Sequence, residues 1–168
     1  EGDVQELLRI GVKDSKKLTA KKREELLPRI IGMVENYHVE VLDAEFIDSE
    51  RERENLNLIE ARVMASIIER LWPDVVQIGS VDVDPARFGV AVSMRMVAKP
   101  EVVSVHHAED AFPAVAAASI IAKTTRDRII SELKLSWGDF GSGYPSDPKT
   151  RRFISESVKS GRVPPIVR

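Results

Sequence analysis

The sequence predicts an α/β layered protein, and three observations carry that expectation. Strand-like and helix-like segments alternate along the chain. Apolar residues make up 43% of it, enough for a core. Its 168 residues fit one domain by the usual prior of ~100–200. Composition narrows the classes further. There is no Cys, which excludes a disulfide framework and thiolate metal sites and fits a cytoplasmic protein. Only three His are present, at 38, 106 and 107, so an all-His zinc site is disfavoured. No apolar run approaches the ~18 residues of a membrane span, and no signal peptide is visible. The net charge of −2 means that any nucleic-acid binding must come from a local patch.

The elements follow in order. Residues 13–23, "KDSKKLTAKKR", carry six basic residues and one Asp, whereas 24–60 carry eleven acidic and three basic. Thr19 precedes helical spacing, with Leu26, Leu27, Ile30, Ile31 and Val34 on one apolar face. "YHVEVLDAEFI" (37–47) alternates like a strand. "NLNLIEARVMASIIERLW" (55–72) reads as a helix that Pro73 ends. "DVVQIGSVDV" (74–83) reads as a buried strand with a turn at Asp84-Pro85, and "EVVSVHH" (101–107) as another strand. A long helix spans 113–135, with Pro113 near its first turn, where a missing N–H costs little. A Gly/Pro loop covers 137–150 and a last helix 149–159. The first residue is Glu1 rather than Met and the last stretch is "PPIVR", so both ends read as cut from something longer.

Each notable feature has a plain structural reading beside its functional one. The basic cluster is equally well a solvated helix face. "AAAS" (116–119) is first of all a small-residue face that lets a helix approach a sheet. Glu109 and Asp110 form an ordinary exposed acidic pair unless something gathers them. "GSGYPSDP" punctuates a turn, but Tyr144 amid Gly and Ser needs something to touch.

Together the segments are more specific. "GVKDSKKLTAKKRE", "NLNLIEA", "VDVDPARFG", "AAASIIAKTTRDR", "DFGSGYPSDPKT" and "PPIVR" occur in this order, and the chain resembles ribonuclease HII, the archaeal branch most closely. The resemblance runs from about residue 7 to residue 168. It implies one domain over 1–168 with an RNase H-like mixed sheet flanked by helices, incomplete at its N-terminus. It implies cleavage of the RNA strand of RNA–DNA hybrids, and at ribonucleotides embedded in DNA. Two divalent cations, Mg²⁺ or Mn²⁺, would be held by four carboxylates; one activates water and the other stabilises the leaving oxygen. Hard cations of this kind take oxygen ligands.

Carried over residue by residue, the resemblance is incomplete. The family's first two carboxylates lie in Asp-Glu-Ala-Gly-Arg-Gly, whose Gly-Arg-Gly also reads the ribose 2′-OH; the chain contains no such motif. The third carboxylate position, counted back from "DVDPARFG", is Gly79. Asp82, three residues on, matches a family Asp that is not the principal ligand. The fourth, ten residues before Ser119, is Glu109, whose extra methylene displaces the carboxylate; Asp110 is adjacent. The resemblance thus gives Glu109, Asp110 and Asp82 as candidate catalytic residues, with Glu109 and Asp82 as metal ligands. It assigns Ser15, Lys16, Asn57, Ser119, Lys123 and Tyr144 to the substrate, Tyr144 beside the ribose at the RNA–DNA junction.

Three readings remain open: an endonuclease completed by upstream strands, a degenerate homologue that binds hybrids without hydrolysis, and a site regrouped around Asp82, Glu109, Asp110 and His107. Without the family's first strands, the strands that remain would expose unpaired edges, so another segment or chain is expected to complete the sheet, or the sheet to be rearranged. If the basic cluster grips phosphates, Lys16→Ala with Lys21→Ala is expected to weaken hybrid binding. The slope of log K against log salt should fall by ~0.9 for each phosphate that is no longer neutralised. A titration series over salt with an unchanged slope would mark the cluster as a solvated face.

Overall fold

The computed structural model describes residues 2–165; Ile166–Arg168 of the "PPIVR" motif lie outside them. The chain divides between Ala122 and Lys123 into two compact units, each taken by itself below.

The first unit opens with helix α1 (Gly2–Arg9), then a 3₁₀ turn at Ser15–Lys17 and helix α2 (Ala20–Ile31). Thr19 caps α2, its hydroxyl accepting the Lys22 N–H at 3.2 Å, as the spacing predicts. Helices α3 (Ala44–Arg51) and α4 (Leu56–Leu71) follow, each entered through a capping side chain, Asp43 and Asn55. Strand β1 (Val75–Gly79), helix α5 (Pro85–Ser93) and strand β2 (Glu101–Val105) form a β-α-β unit. The two strands pair in parallel, Val75 opposite Glu101 and Gly79 opposite Val105. A parallel pair cannot be closed by a tight hairpin, so α5 serves as the crossover. Gly89 lets this crossover lie close, because a Cβ there would meet the Ser104 Cβ of β2 at 3.1 Å. The short helix α6 (Ala108–Ala111) and the long helix α7 (Pro113–Trp137) come next.

Two apolar clusters hold this unit. One joins Leu7, Leu26 and Ile30 to Ala116, Ala117, Ile120 and Ile121 of α7. Ala116 and Ala117 of "AAAS" therefore do pack closely, but against α1 and α2 rather than against a sheet. The other joins Ala61, Ala65 and Ile68 of α4, Val76 and Ile78 of β1, and Phe88 and Val92 of α5.

Three local readings differ from the sequence expectation. The stretch 74–83, read as one buried strand, is a strand only over Val75–Gly79 with alternate residues buried, and Val81 and Val83 beyond it are exposed because the chain there has left the ladder for a turn. Residues 37–43, read as the start of a strand, join no ladder among the described residues, and 44–51 are helical. The alternation in 37–47 is real, but a strand exists only where another backbone accepts its hydrogen bonds, and Asp43 caps a helix instead. The turn at Asp84-Pro85 is the entry to α5: Asp84 accepts the N–H groups of Ala86 and Arg87, and Pro85 sits in the first turn.

An apolar groove of about 530 Å³ lies within this unit. It is lined by Val76 and Ile78 of β1, Ile67 and Leu71 of α4, and Tyr37 and Val39 of the unladdered segment. Among the described residues β1 pairs only with β2.

The second unit contains the rest of α7, the loop 138–147 and helix α8 (Pro148–Ser160). Phe140 and Phe153 stack at a centroid distance of 5.4 Å. Among the described residues no helix is long and apolar enough to cross a membrane.

Phe88 is 1% exposed at the centre of the second cluster. Phe88→Ala is expected to cost about 3–5 kcal/mol. Denaturant titration should show it as a lower midpoint with unchanged slope; a cost under about 1 kcal/mol would mean that the site collapses around the cavity.

Candidate functional site

The "DSKK" turn places its lysines against α6. Asp14 is buried and accepts the Lys16 N–H at 2.9 Å, which closes the turn. Arg23 is buried beneath it and donates to the carbonyls of Ser15, at 3.0 Å, and Leu18. Lys16 Nζ then lies 3.2 Å from Glu109 Oε1, and Lys17 Nζ donates to Asp110. Glu109 is held below the ordinary carboxylate range, first by its own backbone N–H and then by Lys16, against the opposing effect of burial. Asp110 is held down chiefly by Lys17. The lysine values are raised in return, Lys16 by Glu109 and Lys17 by Asp110. The basic cluster is thus an exposed face with internal pairing: Lys13, Lys16, Lys17, Lys21 and Lys22 are exposed, Lys16 and Lys17 meet acids of α6, and Arg23 alone is buried.

Asp82 sits in a separate pocket of about 390 Å³ with Asn57, Arg87 and Phe88. It accepts from the Asp84 N–H at 2.9 Å and from Asn57 Nδ2 at 3.3 Å, and it pairs with Arg87. The Asp84 N–H first, then Arg87, hold its carboxyl below the usual range. Among the described residues no hydrogen bond or ion pair links Asp82 to Glu109 or Asp110.

Gly79 ends β1, and the Ser80 N–H continues the ladder to the Val105 carbonyl at 2.9 Å. A Cβ at Gly79 would meet only the Ala108 Cβ, at 3.9 Å, an ordinary contact. The position therefore has room for a Cβ beside α6 and carries none. Among the described residues no three acidic or His side chains gather as a metal group.

In the second unit the loop after α7 is built around Tyr144. Gly143 has φ +74°, and the Gly143 N–H donates to Thr150 Oγ1 at 3.0 Å. Asp147 accepts the Ser142 N–H at 2.7 Å and caps α8 through the Lys149 N–H at 2.9 Å. The Arg126 guanidinium carbon lies 3.8 Å from the Tyr144 ring centroid. Lys123 Nζ donates to the Tyr144 hydroxyl at 3.1 Å and to Asp127 at 2.8 Å. Tyr144 remains 40% exposed, enough for one edge or face to meet a ligand.

The structure thus brings Lys16 to Glu109, Asn57 to Asp82, and Lys123 to Tyr144. It places Ser15 in a buried turn and Ser119 half-buried, its hydroxyl donating to the Ala116 carbonyl at 3.0 Å. The sequence alone does not single out two of the partners, Lys17 and Arg87. The helical spacing of Lys123 and Arg126 is a usable signal, since residues three apart share a helix face.

Comparison with known proteins fits this architecture. Solved structures of ribonucleases HII share it. That in the PCNA:RNase HII complex from Archaeoglobus fulgidus superposes with a TM-score of 0.92 at 41% identity, over 98% of this chain and 79% of that one. Ribonuclease H2 from Pyrococcus horikoshii OT3 superposes with a TM-score of 0.90 at 39% identity, over 99% and 80%. The fold is therefore the RNase H-like α/β fold of that group. The family profile described as ribonuclease HII matches residues 1–168, and ribonuclease HII of Thermococcus onnurineus is 45% identical over 169 residues, covering 100% of this chain and 74% of the relative. The chain belongs to the ribonuclease HII family, in its archaeal type.

Lys17→Met is expected to return the Asp110 carboxyl toward its ordinary value of about 3.9, as read by carboxyl-carbon NMR titration. The sign follows from the depression: the pair stabilises the folded state above the unfolded value, and the effect is lost as pH falls through the lower folded value. The variant should therefore lose less stability than the parent in that acid window. Identical Asp110 titrations in both proteins would show that the pair does not form in solution.

Proposed function

We propose that residues 1–168 form one ribonuclease HII-like domain acting on RNA–DNA hybrids and on ribonucleotides embedded in DNA. The observation that carries the reading is the Lys123–Tyr144–Arg126 cluster, an exposed aromatic ring held between cations. Such a ring can pack against a sugar or base, while an ammonium group such as that of Lys123 suits a phosphate. Within the first unit, this reading assigns Lys16, Asn57 and Ser119 to the substrate through the family motifs that contain them, while Ser15, buried, shapes the turn that presents Lys16.

Hydrolysis in the family uses two Mg²⁺ or Mn²⁺ ions, which need converging carboxylates to sit ~3.5–4 Å apart. The residues of this chain do not fit that demand by themselves. Glu109 and Asp82 are the ligands it would contribute, with Asp110 beside them. Yet Asp82 is engaged by Asn57 and Arg87, Glu109 by Lys16, and Gly79 offers nothing. We derive no catalytic step through metal from these residues. A second reading is favoured by Gly79: a hybrid-binding domain without hydrolysis of its own. The apolar groove and the edge of β1, which among the described residues pairs only with β2, support the proposal that a further segment or chain adds strands there, because a strand edge beside an apolar wall suits an extended partner.

The deciding experiment is a Mn²⁺ cleavage assay on a duplex carrying one ribonucleotide, with a binding titration on the same duplex. We expect binding, and no cleavage at a rate like that of the family. Supplying the Asp-Glu-Ala-Gly-Arg-Gly strand should restore cleavage only together with Gly79→Asp, whose Cβ would make only an ordinary contact with Ala108. Metal-dependent cleavage by the parent chain, abolished by Glu109→Gln, would overturn this reading and show a site rebuilt around the remaining acids.

A further inference from the structure

Tyr144 lies in a loop with glycines at 141 and 143, which alone would leave its ring free to move. Three contacts oppose that freedom. Both terminal nitrogens of Arg126 donate to the Ser142 carbonyl, at 3.2 and 3.1 Å. The same guanidinium stacks on the Tyr144 ring, 3.8 Å from its centroid. Its orientation is set in turn by Asp127, 3.6 Å from Arg126 Nη1. Lys123 holds the far end of the ring through the hydroxyl. Arg126 thus touches the loop backbone two residues before Tyr144 and the ring itself. A flexible ammonium cannot do both, because it lacks the planar fork.

From this geometry we infer that Arg126 is a positioning residue: it presets the Tyr144 ring for the sugar of the substrate and does not itself grip a phosphate. The inference rests on the reading of Tyr144 as the ribose-facing ring. The Gly143 backbone fits it, since a Cβ there would meet Ile130 Cδ1 at 2.9 Å and Arg126 Nη2 at 3.2 Å. The positive φ of Gly143, +74°, favours glycine where the loop closes down on the guanidinium.

The test compares Arg126→Ala, Arg126→Lys, Tyr144→Ala and the Arg126→Ala/Tyr144→Ala double variant of the full chain. Each is titrated with a duplex containing one ribonucleotide and with the all-DNA duplex, over a salt series; thermal unfolding checks that each folds. Arg126→Ala should reduce the preference for the ribonucleotide roughly 3- to 10-fold, the range that a partly exposed cation–π contact supports. Arg126→Lys should fall by a similar factor, the salt slope should stay as in the parent, and the double variant should be no weaker than Tyr144→Ala. Full rescue by Arg126→Lys, a slope lowered by ~0.9, or a further weakening in the double variant would identify a direct phosphate contact and overturn the inference alone. Tyr144→Ala that binds both duplexes as the parent does would overturn the ribose reading and the inference with it.

Discussion

The first unit depends on one pairing, the parallel ladder between β1 and β2. Parallel strands demand a crossover, and α5 supplies it, pressed onto β2 by the absence of a side chain at Gly89. The ladder also fixes what leaves its end. Gly79 and Val105 finish in register, so the Ser80–Asp84 turn and α6 emerge from the same edge. Asp82 and Glu109 owe their positions to that shared exit, although each is then taken up by different neighbours. Shifting a strand by one residue would invert its faces and expose Val76 and Ile78.

Much of this is legible in the sequence because the signals are local. Thr19 caps α2, Pro73 follows α4, and Pro113 opens α7, each through chemistry within a few residues. The segment 37–47 shows where local reasoning stops. Its alternation describes a surface with two faces, but whether such a segment becomes a strand depends on a partner elsewhere in the fold. Conversely, Asp84-Pro85 carries a complete helix-entry signature that by itself reads equally as a turn. The small residues of "GVA" in α5 give a weak apolar period over a span that the structure shows to be helical.

The site is legible as motifs and less so as contacts. Motif order points to the family, and the profile over residues 1–168 bears that out. Tyr144 stands out because an aromatic in a Gly/Ser loop needs a neighbour, and it has two. The cationic stretch 13–23 is harder to read. Net charge along a sequence does not tell which groups will face acids from 93 positions away, as Lys16 and Lys17 do. Nor does it show that Arg23 turns inward to hold two carbonyls.

Gly143 has a consequence for how the loop tolerates change. Its positive φ already penalises any L-residue, and the direction in which an L-side chain would leave the backbone is filled by Ile130 and Arg126. Gly138 shares the positive φ but has open space around it. The two glycines thus differ in kind. At Gly138 a replacement meets only a backbone preference, whereas at Gly143 it must also displace the tips of the Ile130 and Arg126 side chains. A change at Gly143 therefore reaches Tyr144 through the same guanidinium that lies on its ring.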